Sequence, residues 1–161
     1  MIGIFLDIET TGLDPLAHRV LEIAFKFIDL NSGEVLTKFL EKVSQPPEVW
    51  EKSDKTSLVI NGFSPDEFEN SIDEATAALQ IKEIFQSFGI ARGKAIFICQ
   101  NPSFDRAYFS QLISTYDQEN LNWPYHWLDF ASMYWALYVT NSKQNSIDNI
   151  HLSKDKIAQI H

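Results

Sequence analysis

Only one cysteine, Cys99, occurs in the 161 residues, so no internal disulfide can staple the fold. It lies in the apolar run AIFIC and reads as an inert core residue. A reducing, cytoplasmic setting is therefore expected. Long apolar runs are also missing: none approaches the roughly 18 residues that a membrane-spanning helix needs. The opening MIGIFLDIETTG has no basic start and meets acid by position 7, so a signal peptide is not expected there. Positive charge is scarce as well. Thirteen Lys and Arg face 22 Asp and Glu, giving a net charge of −9, which argues against an extended basic groove for long duplex nucleic acid. A short or single-stranded substrate remains compatible, because bound cations can supply positive charge locally. Glycine and proline number six each and form no linker, and no repeat is visible, so residues 1–161 read as one domain.

Aromatic residues, at 13%, are plentiful and supply the area for a sizeable core. Residues 2–8 read as a strand that is apolar on both faces until Asp7, hence central in a sheet. TTGLDP (10–15) is a turn. Residues 20–30 alternate as a second strand, and Asn31-Ser32-Gly33 turns the chain into a third over 35–43. Residues 44–70 read as irregular. Ser71 and Glu74 have the spacing of a capping box, starting a helix to about Phe88 that Gly89 closes. A short buried strand covers 95–99. Pro102 opens a helix to about Tyr116, another helix covers roughly 129–139, and a short one runs over 153–160 with Ser153 as cap. Strands first, then alternating helix and strand, predict a mixed α/β sheet flanked by helices.

The chemistry is concentrated in carboxylates. Asp7 and Glu9 stand two apart at a strand end, and the period of two puts both on one face. Neighbouring carboxylates repel each other and are costly beside a core, but a hard cation such as Mg²⁺ or Mn²⁺ would neutralise both. The plainer reading is two solvated charges. Thr10-Thr11-Gly12-Leu13 offers hydroxyls, close backbone approach and an exposed apolar tip. These suit the terminal ribose, phosphate and base of a nucleotide, although as structure alone the segment is a strand-ending loop. Gln100-Asn101-Pro102-Ser103-Phe104-Asp105 places Asp105 in the first turn of a helix. There it is either a dipole-stabilising acid or a third metal ligand. Asn101 and Phe104 are assigned to substrate contact. Asp129 reads as a helix cap, and the aromatic tract 123–135 as core.

Asp7-Ile8-Glu9-Thr10-Thr11-Gly12-Leu13 resembles the first motif of the DEDD-type, or DnaQ-like, 3′–5′ exonucleases. Asn101-x-x-Phe104-Asp105 resembles their second motif, although the family commonly has His where this chain has Gln100. Leu21-Glu22-Ile23-Ala24 and Asn61-Gly62-Phe63-Ser64 resemble the family's second strand and the loop after the third. The resemblance implies an RNase H-like fold: a five-stranded mixed sheet, its first three strands antiparallel, with helices on both sides. It also implies two divalent cations held by four acids, three of which match Asp7, Glu9 and Asp105. The third motif, His-x-x-x-x-Asp or a Tyr variant with a four-residue offset, is not matched. Ala131 stands five after His126, Lys156 five after His151, and His161 is the last residue. His151 and Asp155 have the four-residue offset, but with His for Tyr, and Asp155 reads better as a solvated first-turn residue. The expectation is a domain that stops before the third motif and the C-terminal helix.

The implied activity is two-metal 3′–5′ exonuclease hydrolysis of single-stranded or short DNA or RNA to nucleoside 5′-monophosphates. A polymerase or a second copy of the chain would be its protein partner, and no membrane is involved. The same residues leave open a catalytically inactive RNase H-like interaction module and an endonuclease of the same fold.

Overall fold

Strict alternation along the first strand decides which way the sheet faces. In β1 (Ile2–Thr10) the side chains of Ile4, Leu6 and Ile8 are buried on one face, while Phe5, Asp7 and Glu9 alternate onto the other. The structure, a computed structural model, describes residues 1–141 and 152–160. β1 pairs antiparallel with β2 (Val20–Asp29), and β2 pairs antiparallel with β3 (Val35–Lys42). Next come α1 (Pro47–Glu51), α2 (Lys55–Asn61), a 3-10 turn at Pro65–Phe68 and α3 (Glu74–Ser87). β4 (Ala95–Cys99) then leads into α4 (Pro102–Leu112) and α5 (Thr115–Asn120). β5 (Trp127–Asp129), α6 (Phe130–Asn141) and α7 (Lys154–Ile160) complete the described chain. The sheet order is β3-β2-β1-β4-β5, with β4 parallel to both β1 and β5.

Several boundaries depart from the sequence reading for local reasons. The 44–70 stretch is not irregular. Asp54 caps α2 by accepting from the Ser57 N–H at 2.8 Å, and Gly62 ends it at φ 74°. The capping box lies at Ser64 and Glu67. α3 is capped by Asp73, which accepts from the Thr76 N–H at 2.7 Å, rather than by Ser71. The helix begun at Pro102 stops at Leu112, where Ile113 turns extended and the Ser114 hydroxyl caps a separate α5. Residues 127–129 are a strand where the sequence predicts none, and the helix expected from about 129 begins at Phe130.

The core lies between one face of the sheet and helices α3 and α4. Phe85 of α3 is its centre, edge-on to Phe25 and Phe27 and 4.4 Å from the Trp123 ring. Phe97 of β4 stacks on Trp127 at 4.0 Å, which fixes β5 beside β4. The side chains of Tyr108, Phe109 and Leu112 are the buried stripe of α4. That stripe seats the helix so that its first turn overhangs the end of β1.

Candidate active site

β1 and β4 are paired only as far as Phe5 with Ile98. Beyond that point the parallel strands part, and the chain leaves β4 through Asn101, whose left-handed backbone (φ 57°, ψ 67°) redirects it into α4. Asn tolerates this conformation better than most side chains. The opening lies at the carboxyl ends of two parallel strands, the usual place for ligands in such sheets. Asp7 and Glu9 reach it from β1, and Asp105 reaches it from the first turn of α4.

Electrostatics ties the three together. Asp105 is 3% exposed, and burial, followed by the Asp7 charge, pushes its carboxyl up to about 7. Backbone hydrogen bonds at its own residue and at Ile8 pull the other way. Glu9 is raised by burial, then by Asp7 and by Glu22. Glu22 lies opposite Glu9 in the β1–β2 ladder and is itself raised by burial, with Lys42 opposing. It is an acid of this neighbourhood that sequence reasoning placed only in a strand. The cross-strand register was the signal that could have found it.

Among the described residues no three His, Cys, Asp or Glu side chains are drawn together tightly enough to hold an ion. The donor chemistry nonetheless suits a hard divalent cation, because carboxylates lifted by burial and mutual repulsion are the groups a cation relieves. A positive charge is in fact present. Lys154 of α7 makes an ion pair with the Asp7 carboxylate, and its charge also lowers Asp105 and Glu9. Nothing in the sequence signalled this lysine.

The other expected residues divide into two groups. The Thr10 and Thr11 side chains are buried, and their hydroxyls are used within the loop. Thr10 donates to the Gly12 carbonyl at 2.7 Å, and Thr11 accepts from the Arg19 N–H at 3.0 Å. The Tyr108 hydroxyl also donates to the Gly12 carbonyl, at 2.5 Å, and a Cβ at Gly12 would collide with the His18 ring. These contacts hold Leu13 out into solvent at 77% exposure. Asn101 is exposed and accepts from the Ser103 hydroxyl at 2.7 Å. Phe104 is half-buried against Tyr108. Asp129 has the capping role read for it, accepting from the Ala131 and Ser132 N–H groups. Burial opposes its charge, but the Ser132 and backbone hydrogen bonds win and hold its carboxyl below the usual range. The Cys99 thiol is pushed far up by burial and then by Asp105, consistent with an inert core residue. His151, His161 and the Asp155 side chain lie outside the described residues. A groove of about 510 Å³ runs from Asp7 across the same sheet face, floored by Phe5, Ala24, Leu40 and Ile98, with Lys154 at its rim.

A sheet of this order, with acids at the end of its central strand and on the following helix, is the RNase H-like fold of DEDD-type, DnaQ-like exonucleases. Comparison with known proteins agrees. The chain is 30% identical over 105 residues to the DNA polymerase III PolC-type of Staphylococcus haemolyticus, a match covering 65% of this chain and 6% of that one. E. coli exonuclease I in complex with a 5cy-dA13 oligonucleotide superposes with a TM-score of 0.72 at 19% identity, covering 90% of this chain and 31% of that one. The zinc-bound form of the E. coli exonuclease I–single-stranded DNA complex gives 0.71 at 19% identity, with the same coverage. The chain thus spans a small part of its PolC-type relatives and about a third of exonuclease I. No family model matches it.

Proposed function

We propose that this chain is the core of a divalent-metal-dependent 3′–5′ exonuclease that hydrolyses the terminal phosphodiester of single-stranded or short nucleic acid, releasing nucleoside 5′-monophosphates. One observation carries the reading: Asp105, buried on α4 and far from β1 in sequence, lies near enough to Asp7 that this neighbour's charge adds to burial in lifting its carboxyl to about 7. Asp7, Glu9 and Asp105 would hold the ions. When bound, two Mg²⁺ or Mn²⁺ ions supply Lewis acidity and a more acidic attacking water. The protein's own part is positioning. Leu13 is held out by the clamped Thr10-Thr11-Gly12 loop to lie against the last base. Asn101 and Phe104, where the chain enters α4, would meet the sugar and phosphate. The net charge of −9 fits a 3′ end better than a long duplex. Kinship with PolC-type chains supports a polymerase setting. Among the described residues no helix is long and apolar enough to cross a membrane.

A second reading, an inactive interaction module, is favoured by the Lys154–Asp7 ion pair, which would serve as a permanent substitute for a metal. Digestion of 3′-labelled and 5′-labelled DNA and RNA oligomers with Mn²⁺ decides between them. The exonuclease shortens oligomers stepwise from the 3′ end, and Asp7→Ala abolishes this. Activity surviving Asp7→Ala rejects the site, and inactivity of both proteins favours the module. Cleavage of a 3′-blocked oligomer would indicate an endonuclease.

A further inference from the structure

We infer that Lys154 is the resident counter-ion of the acidic site, a latch that a divalent cation must displace from Asp7. The inference rests on the cation-site reading above. Three contacts hold the latch in place. The Lys154 ammonium pairs with the Asp7 carboxylate. The Gln100 side-chain amide donates to the Leu152 carbonyl at 3.0 Å, tying the approach to α7 to the end of β4. Ile157, 5% exposed, anchors the helix by burial. In this structure the work of Gln100 is to hold α7 over the site.

The physical argument is one of charge and access. An ammonium and a dication cannot share one carboxylate at contact distance without strong repulsion. Lys154 and Asp7 each keep about half of their side-chain surface exposed (50% and 52%), so this pair is solvated and weak enough to open. Asp7, Glu9, Glu22 and Asp105 would otherwise be four acids in one neighbourhood. The Lys154 charge lowers the most buried of them, Asp105, and also Glu9, so it acts beyond Asp7 alone. The latch therefore makes the cation-free site tolerable and lowers its affinity for the ion it is built to receive.

The test is Mn²⁺ titration, read as loss of the free-ion paramagnetic resonance signal, on the wild-type chain, Lys154→Met, Lys154→Arg and Lys154→Met/Asp7→Asn. Lys154 is exposed, so its replacement leaves the core intact, and circular dichroism verifies this. Lys154→Met should bind Mn²⁺ on the order of 10-fold more tightly than wild type, as expected for removing one like charge at contact range. Lys154→Arg should stay as weak as wild type, and adding Asp7→Asn should undo the gain. In the wild type, Mn²⁺ should also speed amide hydrogen exchange in residues 154–160 as the latch opens. Equal affinity of wild type and Lys154→Met overturns the latch and leaves the cation site standing. Failure of both to bind overturns the latch and the cation site together.

Discussion

Asp105 is the residue whose surroundings make the strongest demand. Its folded value near 7 stands above its ordinary 3.8. The stability it contributes is therefore complete below about pH 4 and is lost as pH rises through 7, because the unfolded chain releases its proton first. At ~1.4 kcal/mol per pH unit, the gap converts to an upper bound of roughly 4 kcal/mol. Asp105→Asn abolishes this titration. Urea unfolding of the cation-free proteins should show the variant more stable by roughly 2–4 kcal/mol at about pH 8, with the difference closing by about pH 4. A difference that does not change with pH would refute the assignment. Tyr108 makes a smaller, local demand. Tyr108→Phe removes one of two donors to the Gly12 carbonyl while Thr10 still satisfies it, so the expected cost is only about 1 kcal/mol in the same measurement.

At the scale of elements, what could be read from the sequence was what repeats with a local period. β1 follows from an apolar run, β2 from alternation and β3 from the Asn-Ser-Gly turn, and Asp7 and Glu9 on one face follow from the strand's period of two. Asp105 was legible because Pro102 marks a helix start three residues earlier. β5 was not, because three residues carry no period and its strand character comes from Phe97 stacking on Trp127. α2 was missed because Val59 and Ile60 are 81% and 79% exposed, so no buried stripe announces it, although Asp54 and Gly62 mark its ends. Glu22 and Lys154 joined the site through register and helix docking, both long-range facts. The misplaced start of α3 yields a direct check. Asp73→Ala should cost about 1 kcal/mol of thermal stability as a lost cap, and Ser71→Ala clearly less. The reverse order in calorimetry would restore the Ser71 cap.

At the scale of the whole molecule, the chain joins a net charge of −9 to a site made of acids, so under the proposed function substrate capture would depend on bound cations more than on the chain's own field. The sheet order has a further effect, on assembly. β1 is the first strand in the chain yet lies at the middle of the sheet, and its partner on one side, β4, comes only after α3. A meander of β1, β2 and β3 can close early through short turns, leaving the Ile2–Phe5 edge of β1 bare until β4 docks. Bare edges recruit strands from other chains. Weakening the late strand, for instance by Phe97→Ala, should therefore make refolding yield fall steeply with protein concentration. Light scattering during dilution from urea would detect the aggregates, and a yield independent of concentration would mean that β1 is never left waiting.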